Sequence, residues 1–222
     1  MANVVEVWRY PVKSMAGERL DACTITETGL EGDRGLALID HTPNRAGKFL
    51  TIRQHEDLLR YRPRLVEGAV EVEAPDGSVT PAGGALVERL ERETSRPLEL
   101  RDHAGANFDD SQVLLINLAS IELFAAEAGM ELDRRRFRAN LYVDGLAPEE
   151  EVGWVGRRIR AGDAELEVVK RDERCVVITR DPDTTVATPE LLRILTERHD
   201  QCMGVYCQVV KPGRVAVGDF VG

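Results

Sequence analysis

The chain has 222 residues, 43% hydrophobic and 31% charged, enough to bury a substantial core without cross-links. Its net charge of -10 excludes a general nucleic-acid binder, because neutralising phosphates needs a basic face. The four cysteines are too few for a disulfide scaffold, no apolar run reaches the roughly 20 residues that cross a bilayer, and the N-terminus reads as a strand rather than a leader; a cytoplasmic protein is expected.

In chain order, VVEVWRYPV alternates as a half-buried strand does, and Pro11 is expected to end its pairing because proline has no N–H to donate. ACTITE and RGLALID are strands flanking the loop TGLEGDRG, whose Gly29, Gly32 and Gly35 permit tight turns around Asp33 and Arg34. FLTIRQ follows as a short strand, PDG at 75–77 as a hairpin turn, and GGALVERLERETS as the first helix. VLLIN is a buried strand, and SIELFAAEAG a helix with Ser120 to cap it and Gly129 to end it. RIRAGDAELEVVKR predicts a two-stranded hairpin. In TPELLRILTERH, Thr188 caps a helix, Pro189 takes its first turn, and Leu191, Leu192 and Leu195 form its apolar stripe. VYCQVV and RVAVGDFVG close the chain as strands. Strand and helix do not alternate regularly, so a β-rich α+β fold with peripheral helices fits better than a doubly wound sheet.

Few residues invite chemistry. Cys175 follows a patch of mixed charge in KRDERCVVITRDPDTT and opens the apolar run Val176, Val177 and Ile178, which reads as strand. A thiol there is either a small buried hydrophobe or, given the slight positive excess around it, a thiolate able to ligate a metal. Lys13, Arg34, Arg53, Arg138 and Arg174 sit beside glycines, turns or strand ends, where loops can aim cations at one ligand, or they are surface charges among 39 acids. Cys202, Cys207 and His199 do not make up a four-ligand zinc site, and His41, His55, His103 and His199 read as surface or cap residues. No G-x-S-x-G, P-loop, H-E-x-x-H or dinucleotide fingerprint is present.

Three N-terminal stretches, YPVKSMAGE, GLEGDRGLALID and GKFLTIRQHEDL, resemble the N-terminal β-barrel domain of proteins built like the mitochondrial amidoxime-reducing component. RCVVITRDPDT and CQVVKPGRVAVGD resemble the MOSC domain shared with the C-terminal region of molybdenum cofactor sulfurase. The resemblance implies an N-terminal β-barrel-like domain (1–102) packed on a MOSC β-barrel (103–222) that holds molybdenum cofactor, a molybdopterin-bound molybdenum. It makes Cys175 the protein ligand to the metal, since a soft thiolate suits a metal already held by sulfur. It assigns cofactor contacts to Lys13, Ser14, Arg34, Arg138, Asn140 and Arg174, and, further along, to Ser111 and Tyr206. Ala139 stands where a proline is frequent, and Thr185 where a glycine is common.

The expected activity is reduction of N-hydroxylated compounds such as amidoximes, hydroxylamines or hydroxylaminopurines; the alternative is a non-enzymatic carrier that binds and delivers the cofactor. Asp181 and Asp183 are candidate proton handlers, although two acids in a turn also cap backbone groups. With no four grouped cysteines for an iron–sulfur cluster, electrons are expected from a separate reductase or ferredoxin-like protein. No pyridoxal-phosphate domain, as in the sulfurase, is expected within 222 residues.

Overall fold

The first strand, Ala2–Arg9, sends Ala2, Val4 and Val7 into an apolar interior, while Val5 and Trp8 pack on the opposite side. A bulge between Val4 and Glu6 shifts its register, and pairing stops at Arg9, two residues before Pro11. In the computed structural model, which describes residues 1–222, this strand closes a seven-stranded barrel. The order around the barrel is Leu141–Asp144, Val113–Asn117, Cys202–Lys211, Ala164–Glu173, Arg158–Ala161, Phe220–Val221 and Ala2–Arg9, which pairs back with Leu141–Asp144. Six of these pairings are antiparallel; Val113–Asn117 and Leu141–Asp144 run parallel, so the chain between them must cross over.

That crossover carries a helix of Leu118–Ala128. Helix α1 (Gly84–Thr94) belongs to the N-terminal unit; α2 (Leu118–Ala128) and α3 (Glu190–His199) pack on the barrel exterior through Phe124, Phe137, Tyr142 and Leu195. The N-terminal unit surrounds its own core, including Leu38, Leu58, Tyr61 and Leu90. It contains two three-stranded sheets, Leu98–Asp102/Leu36–Asp40/Lys48–Phe49 and Arg62–Val66/Ala69–Glu73/Val79–Pro81. A third small sheet joins Gly213–Ala216 from near the C-terminus to Ala22–Thr26 and Gly29–Leu30. The expected division at 102/103 falls after the strand Leu98–Asp102, with Ala2–Arg9 on the barrel side of the molecule.

The β-rich architecture with outer helices agrees with the sequence. Several local expectations need correction. Val176–Thr179 is a turn of 3-10 helix, not a strand: Ile178 turns inward beneath α3, and Thr179 Oγ1 donates back to Val176 O at 2.7 Å. FLTIRQ is strand only at Phe49, the end of the short strand Lys48–Phe49, because Gln54 Oε1 accepts from both Thr51 N and Thr51 Oγ1 and bends the backbone into a turn. Asn117, not Ser120, caps α2, and Ser120 is buried against Glu151. Thr188 makes no side-chain cap on α3. His199 is neither surface nor cap: it is 5% exposed, between two carboxylates.

Candidate functional site

The segment after the first strand is stitched to the GDRG loop. Asp33 Oδ1 accepts from Tyr10 N at 2.7 Å, Arg34 N donates to Tyr10 O at 2.7 Å, and Lys13 N donates to Leu36 O at 2.8 Å. Arg34 itself takes the left-handed backbone beside Gly32 (φ 50° and 77°), whereas Gly35 does not need it. The buried Asn107 ties this loop to the next: its Nδ2 donates to Arg34 O and Gly35 O, both at 2.9 Å, and its own carbonyl accepts from Lys13 Nζ at 2.8 Å.

Opposite, the barrel rim delivers Cys175. Arg174, just after the strand Ala164–Glu173, is held at both main-chain groups by Gln201, with Arg174 N donating to Gln201 O (2.8 Å) and Gln201 Nε2 donating to Arg174 O (2.9 Å). The Arg174 guanidinium pairs with Asp172 and donates to Phe137 O at 2.6 Å, so the residue before the thiol is fixed by backbone and side chain alike. Cys175 is half-buried and free.

These two sets of residues face one cleft. Lys13, Ser14, Arg34, Arg138, Arg174, Cys175 and Tyr206 line it, although Lys13 and Tyr206 are separated by nearly the whole chain. Three of its residues, Ser14, Arg34 and Arg138, hold positive φ without being glycine (71°, 50° and 54°), a strain that collects at functional sites. Six cations line the cleft against three carboxylates, in a protein with a net charge of -10. Burial lowers the Lys13 pKa against the pull of Asp109, which accepts from Nζ at 2.8 Å. Burial brings Arg138 down to about 10, and its guanidinium lies 4.5 Å above the Tyr10 ring with no carboxylate partner. For Arg34 burial acts the same way, but the adjacent Asp33 outweighs it and the pKa is raised.

Lys13, Arg34, Arg136 and Arg174 each have a carboxylate partner, yet some donors remain open. Arg136 Nε and Arg174 Nε are buried with no hydrogen-bond partner. A buried cationic donor without an acceptor is costly, so the lining is built for an anionic, acceptor-rich ligand. Arg53 also lines the cleft, and the neighbouring Cys175 sulfur is the main cause of a raised Arg53 pKa. The other thiols are in different surroundings. Burial pushes Cys23, Cys202 and Cys207 up, Cys207 to about 12, and none of them lines the cleft.

Four expected residues lie outside the lining. Asn140 spends its amide on barrel closure, Oδ1 accepting from Leu114 N (3.1 Å) and Nδ2 donating to Trp8 O (3.2 Å). Ala139 uses the N–H that a proline would lack, donating to Tyr142 Oη at 3.3 Å. Ser111 Oγ donates to Cys207 O at 2.9 Å on another face. Asp181 Oδ1 caps Asp183 N and Thr184 N, its Oδ2 accepts from Arg136, and Asp183 is held by Arg135. Arg136, Asn107 and Gln201 were not singled out in sequence; only Arg136 had a signal, the run Arg134-Arg135-Arg136.

Comparison with known proteins accounts for the whole chain. The MOSC N-terminal beta barrel domain matches residues 1–119 and the MOSC domain residues 100–222. Molybdenum cofactor sulfurase of Caenorhabditis briggsae is 25% identical across 100% of this chain, which spans 35% of that protein. Human mitochondrial amidoxime-reducing component 1 is 27% identical, covering 100% of this chain and 82% of the relative. The fold matches the crystal structure of YuaD from Bacillus subtilis with a TM-score of 0.56 at 17% identity, over 99% of this chain and 93% of that one. No helix is long and apolar enough to cross a membrane. With both family domains matched in order over the barrel and the unit beside it, the chain belongs to the MOSC family.

Proposed function

We propose that this protein binds molybdenum cofactor in the cleft and reduces N-hydroxylated compounds, such as amidoximes, hydroxylamines or hydroxylaminopurines, with electrons from a separate donor protein. The observation that carries the reading is the meeting of one accessible thiol with an excess of unmatched cationic donors. A soft sulfur ligand and a phosphate-bearing, acceptor-rich body are what those two halves of the lining would satisfy together. Names of relatives support the cofactor class.

Cys175 Sγ would ligate the metal, and Arg53 beside it would hold the sulfur in place. Lys13, Arg34, Arg138 and Arg174 would donate to phosphate and pterin oxygens and nitrogens, with the Ser14 hydroxyl beside them. When bound, the group supplies a redox centre able to accept the substrate's oxygen. Reduction of an N–OH group to N–H takes up two electrons and two protons and releases water. Asp181 and Asp183 have their oxygens occupied by the turn and by arginines, so we assign proton supply to solvent entering beside the half-buried Cys175.

The test is metal and pterin analysis of protein made in a cofactor-competent host, followed by turnover of an amidoxime under reduced viologen. Stoichiometric molybdenum with turnover, and no turnover on NADH or NADPH alone, is the expected result. Molybdenum-loaded protein that reduces none of these substrates with any chemical reductant would be a carrier instead.

A further inference from the structure

A second cavity, of about 430 Å³, lies between the N-terminal unit and the barrel and shares a single lining residue, Arg138, with the cleft. The ring of Tyr10 lines it, with Arg34 stacked at 4.9 Å and Arg138 at 4.5 Å from the ring centre. Gly17 makes room for that ring, since a Cβ there would sit 2.5 Å from Tyr10 Cε1.

The lining is divided by chemistry. Trp8, Tyr10, Leu59, Pro63 and Pro182 supply apolar and flat surface, with Leu59, Pro63 and Pro182 buried. Around them stand Arg19, Arg62, Arg64, Arg135 and Arg138, against only Glu18 and Asp183. Both acids are already engaged: Glu18 accepts from Arg9 Nε (2.8 Å) and Leu65 N (3.1 Å), and Asp183 accepts from Arg135 (2.6 and 3.1 Å). Arg64 and Arg138 have no ion-pair partner, Arg62 has only the long pairs to Glu73 (3.5 Å) and Asp183 (3.9 Å), and Arg19 reaches Glu6 only at 3.5 Å while Arg134 claims the same oxygen at 3.1 Å. The cavity is therefore a positive ring around a flat apolar floor.

We propose that this cavity is a binding site for a small planar anion of the nucleoside monophosphate class, its ring against the Trp8 and proline surface and its phosphate among Arg64, Arg62 and Arg138. The volume is in the range of small-molecule sites, and planar guanidinium forks suit phosphate oxygens. The two sites share one cation, so an anion in either weakens the hold on an anion in the other.

The test is titration calorimetry of the purified full chain, with its molybdenum content measured, using AMP and GMP alongside adenosine and inorganic phosphate. Saturable nucleotide binding is expected, with adenosine and phosphate each at least tenfold weaker. Arg64→Glu should weaken the nucleotide at least tenfold while leaving the melting temperature and molybdenum content unchanged; Arg62→Ala serves as a second variant. No saturable binding at millimolar nucleotide, phosphate binding as tightly as AMP, or affinity unmoved by both substitutions in folded protein would overturn the site. None of these outcomes depends on amidoxime turnover, so this proposal and the proposed function fail separately.

Discussion

Two buried polar regions of this protein are built on opposite terms. Behind α2 and α3, His199 Nδ1 meets Glu149 at 2.7 Å and Nε2 meets Glu127 at 2.6 Å; nearby, Ser120 Oγ bonds Glu151 at 2.9 Å and Glu151 accepts from Asn117 N. Each of these groups has a partner, and the one orphan beside them is Arg171 Nε, whose guanidinium donates to His199 O. In the cleft, Arg138 has no carboxylate and two arginine Nε atoms are orphaned. The first arrangement holds helices to a barrel; the second leaves cationic donors open to a cleft. A matched buried network serves the fold, whereas an unmatched one costs stability that a bound group must return.

The largest effect should come from the thiol. Cys175→Ser should abolish substrate reduction and alter the molybdenum spectrum, while Cys202→Ser changes neither, as read by turnover and electron paramagnetic resonance. Next come the cations: Lys13→Ala, Arg34→Ala and Arg138→Ala should each weaken cofactor retention by about 1.5–3 kcal/mol, tenfold or more, for each lost charged hydrogen bond. In cofactor-free protein Arg138→Met should melt no lower than the parent, which separates a ligand-binding cation from a structural one.

The matched region should respond the other way. His199→Gln should cost about 1 kcal/mol in urea unfolding with or without cofactor, because the buried ring loses its two hydrogen bonds to the partly exposed Glu127 and Glu149. Burial lowers the His199 pKa, but Glu149 and Glu127 outweigh it, so the net shift is upward. The stabilisation from the imidazolium is therefore complete below the unfolded value of about 6.5 and is lost as pH rises through the folded value. The gap between parent and His199→Gln should narrow over that alkaline side; a gap that widens with pH would reverse the assignment. The smallest change is Thr185→Gly. Thr185 holds φ 62°, an unfavourable place for a β-branched residue, and glycine there should add about 1 kcal/mol to stability in the same assay.

Alternation and punctuation made most of the barrel legible. Ala2–Arg9 with its Pro11 stop, Val113–Asn117, the hairpin Arg158–Ala161/Ala164–Glu173 and the helix ended by Gly129 all carry local signals. Val176–Thr179 has β-branched residues yet no strand beside it to pair with, so packing under α3 decided its shape. His199 and Glu127 are 72 positions apart, and no local pattern announces that they meet. The cleft is the extreme case: Lys13 reaches Asp109 across 96 positions and Arg34 reaches Arg138 O across 104, through a barrel closure that periodicity cannot reveal. Position beside turns and strand ends singled out Cys175 and the cations Lys13, Arg34, Arg53, Arg138 and Arg174, and family resemblance gave them roles; neither revealed Arg136, Asn107 or Gln201, whose partners are set by tertiary contacts.

The closure strand also sets a schedule for biosynthesis. Ala2–Asn3 pair with Phe220–Val221, and Val4–Val7 with Leu141–Val143, so this strand waits for partners synthesised long after it. Lys13 and Ser14 follow that strand directly and cannot face Cys175 until it docks. At typical translation rates that wait is about 10–40 s, during which an unpaired edge is exposed. The cleft therefore forms only after the chain has been made past Tyr206, and a nascent chain halted before residue 141 has none of it.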